Sequence, residues 1–202
     1  MIKAIIFDFD GVLCDTFSLA LKICKKIDPK FNQEKLKSMF DGNFFKEIKY
    51  GFKLERKRKL LKELEFEEYE NLKLDKTVKS ELEKLSKEFD LFIATSNSNK
   101  NLDKFFKNSS FQNKFKKIYT IENSKSKAHN FKSLFKEFNL KPQDCVFITD
   151  TLGDILEANK VKLKTIAATF GYHEKERLQK GQPSKIISSF KEIYPTIKKL
   201  EY

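Results

Sequence analysis

A chain of 202 residues with 40% apolar and 13% aromatic content can bury one sizeable core, which excludes global disorder. Its net charge of +12 comes almost wholly from Lys, because Arg occurs only at Arg56, Arg58 and Arg177. Arg carries the planar fork that best reads phosphates and bases, so nucleic acid is an open but unfavoured partner, and the charge is either compositional or a real attraction for anions.

The first predicted element is the apolar run Ala4–Phe7, which leads straight into Asp8, Phe9, Asp10 and Gly11. From about residue 17 to 74 no strand pattern occurs. The apolar spacing there fits helices punctuated by Pro29, Gly42 and Gly51, which predicts a helical insert at 17–74 within a core formed by 1–16 and 75–202. Further short apolar runs follow at Leu91–Ala94, Val146–Ile148 and Thr165–Ala168, with weaker ones at Lys117–Ile121 and Lys185–Ile187. Continuous runs of this length suit strands covered on both faces. Helix-period segments separate them, with Leu102, Phe105 and Phe106 on one face and Phe131, Leu134, Phe135 and Phe138 on another. The alternation predicts an α/β fold, a Rossmann-like, doubly wound parallel sheet. Such sheets bind ligands beyond the carboxyl ends of their strands, so the polar residues that end each run become the candidates.

Asp8 and Asp10 are the first pair. In an extended chain they face the same side, and at ~4 Å and an effective dielectric near 20 their repulsion costs on the order of 4 kcal/mol. A cation or a shared proton must offset that. Mg²⁺ suits oxygen ligands of this kind, and a protonated carboxyl can act as a general acid. Gly11 would let the backbone turn tightly beside a ligand. After Ala94 come Thr95, Ser96 and Asn97, before a helix that begins near Ser98 or Asn99. Hydroxyls and free N–H groups at a helix start bind anions, although helix capping alone also explains them. In "ENSKSKAHNFKSLF" Ser126 is the expected N-cap, and Lys127 then opposes its own helix dipole, as a phosphate-neutralising residue would. Lys125 competes for that role. In "CVFITDTLGDILEAN" Asp150 and Asp154 follow a strand end, with a helix opening near Gly153. Each of the four features lies just past a predicted strand, so all should converge on one crevice.

"DFDGVLCD" resembles the first motif of the haloacid dehalogenase-like hydrolases. Thr95, Lys127, and Asp150 with Asp154 are similar to the second, third and fourth motifs, in the family's order. The C-terminal stretch "IAATFGYHEKERLQKGQPSKIISSFKEI" resembles that of phosphoglycolate-phosphatase-like members, and the helical insert resembles the family's cap of the C1 type. The resemblance implies a Mg²⁺-dependent phosphatase for a small phosphorylated metabolite, phosphoglycolate-like or a sugar or nucleotide monophosphate. Asp8 would attack phosphorus and become an aspartyl-phosphate, and Asp10 would serve as acid and then base. Asp8, the Asp10 carbonyl and Asp150 would hold the metal, and Asp154 would ligate it or orient its waters. Thr95, with Ser96 beside it, and Lys127 would bind the phosphate oxygens. Thr149 stands where the family often has Gly. The segment "TFSLALK" lacks the His typical of the sugar-phosphate mutase branch, which favours hydrolysis.

The remaining expectations concern bystanders. His129 is read as a partly exposed helix residue, His173 as part of a surface loop, and Cys14 as a small filler. Phe40, Phe44 and Phe45 read as packing residues of the insert, any of which could line a pocket. The run Glu55–Lys62 reads as a solvated helix face. Three cysteines without a CxxC argue against a disulfide framework or zinc, and no apolar run approaches the ~20 residues a bilayer needs. A cytoplasmic protein without membrane association is expected, with its oligomeric state open. A nucleic-acid-associated protein, including a polynucleotide-end phosphatase, and a non-catalytic regulator on the same fold are the alternatives.

Overall fold

The computed structural model describes residues 1–45, 55–107 and 110–200. Six strands form one sheet: β1 (Ala4–Phe7), β2 (Asp90–Ala94), β3 (Phe115–Tyr119), β4 (Cys145–Thr149), β5 (Lys164–Ala168) and β6 (Lys185–Ile187). All pairs are parallel and the order is β3-β2-β1-β4-β5-β6. The chain therefore winds outward in both directions from β1, and the crevice expected at the reversal lies at the carboxyl ends of β1, β2 and β4. Around the sheet lie α1 (Phe17–Ile27), α2 (Gln33–Ser38), α3 (Glu55–Glu68), α4 (Lys76–Leu85), α5 (Asn99–Phe106), α6 (Lys127–Glu137), α7 (Leu152–Asn159), α8 (Lys175–Gln179) and α9 (Ile193–Leu200). Among the described residues no strand separates β1 from β2, as the apolar spacing indicates; Gly51 and most side chains of the 55–62 run lie outside the described residues.

Alternation along β1 explains the two layers of helices. Ile5 and Phe7 join a core with Leu82, Leu85, Ile193 and Ile197 from α4 and α9. Ala4 and Ile6 join the opposite core with Phe131, Leu134, Phe147 and Ala158 from α6, β4 and α7. Successive side chains of a strand point to opposite faces, so a strand that is apolar at every position must be covered twice. Ile23, Cys24, Phe31, Leu36 and Met39, from the stretch that includes α1 and α2, form a further small cluster with Tyr172 from the loop after β5. The strand expected at 117–121 starts two residues earlier. It ends at Tyr119 because the Thr120 amide bonds to the Asn123 side chain at 2.9 Å and the Thr120 hydroxyl to Asn99 at 2.8 Å. Among the described residues, no helix is long and apolar enough to cross a membrane.

Candidate active site

β1 delivers Asp8 to the edge of the sheet. The Asp8 amide still bonds to the Ile148 carbonyl of β4 at 2.9 Å, so its backbone is fixed by the ladder. Its Oδ1 accepts from the Phe9 amide at 2.7 Å. The chain then turns through Gly11 at φ +77°, a left-handed conformation that costs glycine little. The turn closes with the Gly11 amide on the Cys14 carbonyl at 2.7 Å and the Cys14 amide on the Phe9 carbonyl at 3.1 Å.

Lys127 comes to Asp8 from the first turn of α6. Ser126 caps that helix by accepting from the His129 amide. Lys127 Nζ lies 2.8 Å from Asp8 Oδ2 and 2.5 Å from Asp154 Oδ2, with Lys127 only 5% exposed and Asp8 6%. A lysine at a helix start is unfavourable in isolation. Here two carboxylates neutralise it, and Glu157 of α7 accepts from the Ser126 hydroxyl at 2.8 Å, securing the same turn. Thr149 donates its hydroxyl to Asp154 Oδ2 at 3.0 Å. Burial alone would lower the Lys127 ammonium; Asp154 and Asp8 overcome it and hold the group above its ordinary value. Burial would likewise raise Asp154, but Lys127 and its hydrogen bonds keep it below the usual carboxylate range. Asp8 goes the other way: burial pushes it well up, Lys127 opposes, and Asp154 and Asp150 add repulsion.

Asp150 is fully buried just past the end of β4. Its Oδ2 accepts from the Tyr172 amide at 2.7 Å, and its Oδ1 has no partner. Burial pushes its carboxyl up to about 8, against the Tyr172 amide. A Cβ on Gly11 would lie 1.9 Å from Asp150 Oδ2, and one on Gly171 2.2 Å away, so two glycines cradle this carboxylate. Asp10 has a different environment. Tyr69, from the residues just after α3, donates to Oδ1 at 2.7 Å, and Asn97 Nδ2 donates to Oδ2 at 2.9 Å. Burial raises Asp10, while Tyr69, Thr16 and Asn97 act against the rise.

Thr95 continues β2, its amide on the Tyr119 carbonyl at 2.9 Å, and its hydroxyl accepts from the Asn97 amide at 3.1 Å. Asp8, Asp10, Thr95, Ser96, Lys127 and Asp154 all line one cleft of about 370 Å³, its open mouth included. The six come from the ends of β1 and β2 and the first turns of α6 and α7. A model of the haloacid dehalogenase-like hydrolases matches residues 5–168, which takes in every one of them.

This chain belongs to that family.

Solved haloacid dehalogenase-like hydrolases share its architecture. A family member from Streptococcus pneumoniae superposes with a TM-score of 0.82 at 21% identity, covering 97% of this chain and 98% of its own. A protein described as a predicted phosphatase, from Clostridium acetobutylicum, gives 0.83 at 19% identity, with 98% and 99% covered. One described as a predicted phosphoglycolate phosphatase, from Haemophilus somnus, gives 0.77 at 21% identity, with 97% and 98% covered. At such identities the likeness speaks for the fold. None of the curated proteins matches the chain.

The structure also separates the candidates. Lys127 enters the cleft, whereas Lys125 is exposed and its carbonyl accepts from Asn43 Nδ2 at 3.0 Å. His129 is exposed, as expected. Cys14 is buried, and burial pushes its thiol up to about 12, which leaves it unreactive. Phe40 and Phe44 both line the cleft. His173 corrects the surface-loop expectation: it is 1% exposed. Its Nδ1 accepts from the Leu152 amide at 3.0 Å and its Nε2 meets the Lys37 carbonyl at 2.9 Å, tying the start of α7 to α2. A polar loop sequence gives no hint of this, since both partners are backbone groups from distant segments. Tyr69 and Tyr172 escape sequence reasoning because their partners, Asp10, Thr16 and Asp150 among them, lie far away along the chain. Asn97 was visible beside Thr95, but only as a capping residue.

Among the described residues, no three His, Cys, Asp or Glu side chains form a ready-made metal cluster. The donor set nonetheless suits a hard divalent cation. Asp8, Asp10 and Asp154 line the cleft, Asp150 is not among its lining residues but holds a buried oxygen without a partner, and every side-chain donor is oxygen.

Proposed function

We propose that this hydrolase is a Mg²⁺-dependent phosphatase of small phosphorylated metabolites, with residues 17–74 acting as a cap over a core of 1–16 and 75–202. The observation that carries the reading is Lys127 Nζ held between Asp8 and Asp154 at the sheet's carboxyl edge. Phosphoryl transfer depends on positioning and on neutralising charge, and this arrangement supplies both.

Asp8, Asp150, Asp154 and the Asp10 carbonyl would hold Mg²⁺, which when bound supplies positive charge to the phosphate oxygens. Lys127, Thr95 and Ser96 fix the remaining oxygens of the phosphate. Asp8 attacks phosphorus through a carboxylate oxygen, the bond to the substrate's ester oxygen breaks, and Asp10 gives that oxygen its proton. In the second half Asp10 takes a proton from water, the water oxygen attacks the aspartyl-phosphate, and Asp8 and inorganic phosphate are released. Tyr69 and Asn97 hold the Asp10 carboxyl so that it can perform both transfers. Since Tyr69 belongs to the helical insert, the acid is fully positioned only when the insert sits over the core. That coupling is how lids commit a substrate and exclude water.

A screen of phosphate monoesters with Mg²⁺ and with EDTA tests the reading. Asp8→Asn should abolish turnover and leave the far-ultraviolet circular dichroism unchanged. A variant as active as the parent would show that Asp8 is not the nucleophile.

A further inference from the structure

A second cavity opens from the catalytic cleft, sharing Asp10, Ser96, Phe40, Phe44 and Tyr172 with it. With its open mouth it measures about 670 Å³ and lies between the helical insert and the core. Given phosphate in the cleft, the other end of the substrate must enter this space. The walls therefore describe the leaving group.

Its lining is apolar and aromatic, formed chiefly by Leu19, Ile23, Leu36, Met39, Phe40 and Phe44. Phe40 and Phe44 stack with centroids 4.9 Å apart at 11°, and Tyr172 meets Phe40 edge-on at 5.0 Å. Apart from Ser96, which is assigned to the phosphate, the polar side chains on the wall are directed at protein partners. Tyr69 and Asn97 donate to Asp10, Asn97 Oδ1 accepts from Asn101 at 2.7 Å, and the Thr16 hydroxyl pairs with the Tyr172 hydroxyl at 3.2 Å. Among the described residues no Lys, Arg or His lines the cavity, and Asp10 is its one charged side chain. A carboxylate would be desolvated there with no cation and would face Asp10. A sugar would place several hydroxyls against carbon. Burying polar groups without partners is unfavourable.

We infer that the substrate is a phosphate monoester of an uncharged, hydroxyl-poor alcohol that carries an aromatic ring. The ring sits between Phe40, Phe44 and the aliphatic wall, and its phosphoryl group points to Asp8. This rests on the phosphatase reading and narrows it, away from phosphoglycolate and from sugar phosphates. Aromatic rings pack well edge-to-face or offset against rings already arranged that way. Met39 adds a wall able to adjust to the ring's outline.

The test compares esters of primary alcohols, which leave with similar intrinsic ease: benzyl phosphate, 2-phosphoglycolate and ribose 5-phosphate. Benzyl phosphate should exceed both others by about tenfold or more in kcat/KM, the selectivity an apolar pocket supplies. In parallel, benzylphosphonate and carboxymethylphosphonate, which cannot be hydrolysed, are titrated calorimetrically into the parent protein with Mg²⁺. Benzylphosphonate should bind at least tenfold tighter. Leu19→Lys, at a half-buried position where a lysine stem can be accommodated, should narrow that preference by tenfold by improving the carboxylated ligand. Hydrolysis of all three esters with phosphoglycolate or ribose 5-phosphate equal to benzyl phosphate would overturn the pocket assignment and leave the phosphatase reading standing. No hydrolysis, with benzylphosphonate still preferred, would do the reverse. Equal affinity for the two phosphonates, or none measurable for either, overturns the pocket assignment.

Discussion

Replacing Lys127 by Met keeps most of the side-chain volume and removes one charge. In the parent, that charge lies 2.8 Å from Asp8 and 2.5 Å from Asp154, with Lys127 and Asp8 buried and the Asp154 side chain 14% exposed. Taking the cation from a buried pair leaves uncompensated carboxylates, a change that costs about 3–5 kcal/mol. At an m-value of about 2 kcal/mol/M in urea, the midpoint should fall by about 2 M. Unfolding is followed by circular dichroism in EDTA, so that no divalent ion replaces the lost charge. The deficit should also depend on pH in a set direction. Without Lys127, the carboxyls of Asp8 and Asp154 titrate higher in the folded chain than in the unfolded one, so the folded variant binds more protons and regains stability as pH falls from 8 towards 5. In the parent Lys127 opposes the rise of Asp8, so less stability returns there on acidification, and Asp154, held low, loses its contribution as pH falls from its unfolded value through its folded one. The gap between the two proteins therefore closes on acidification. A midpoint shift under about 0.5 M at pH 8, or a gap of equal size at pH 8 and pH 5, would refute the buried triad.

Tyr69→Phe removes the hydroxyl that donates to Asp10 at 2.7 Å; a hydrogen bond to a charged group is worth about 1.5–3 kcal/mol, so kcat should fall about 10- to 100-fold with KM little changed. An unaltered kcat in steady-state assays would remove Tyr69 from any positioning role. Gly153→Ala would set a Cβ 2.0 Å from the Gly42 carbonyl oxygen and 2.8 Å from that of Phe40, where the Gly153 amide now bonds at 2.8 Å. The insert should be pushed off the start of α7, with KM raised and hydrogen exchange faster at residues 36–44, while β1 and β4 stay protected. Burial holds His173 below its ordinary value, with the Lys37 carbonyl opposing. The unfolded chain should therefore gain a proton near pH 6.5 that the folded chain does not. Stability should fall as pH drops below that point, by at most about 1.4 kcal/mol per pH unit. His173→Gln should flatten this slope when urea midpoints are compared at pH 7.5, 6.5 and 5.5.

Much of this molecule is legible along the chain because its signals are local. Four apolar residues in a row at β1 demand cover on both faces, and the two helical layers supply it. Asp8, Thr95, Lys127 and Asp150 each follow a strand end or open a helix, and a parallel sheet brings such ends to one edge. Their convergence is therefore a property of topology that periodicity already implies. The placement of Lys127 rather than Lys125 was also half visible, because only Lys127 opposes a helix dipole.

What only the tertiary structure decided are the contacts between segments that share no pattern. Tyr69 reaches Asp10 across 59 residues, and His173 joins the Leu152 amide to the Lys37 carbonyl across 21 and 136. Neither neighbourhood marks its residue as special. Backbone groups are present at every position, so a side chain that binds them leaves no trace in composition. The apolar cavity is of the same kind: Phe40 and Phe44 read as packing residues, and both do pack against the Leu36 and Met39 cluster while also lining the cavity. Hydrophobic spacing says that a face is turned away from water. Whether carbon from the protein or from a substrate meets that face depends on how closely two separately folded surfaces approach, and that distance is fixed by packing alone.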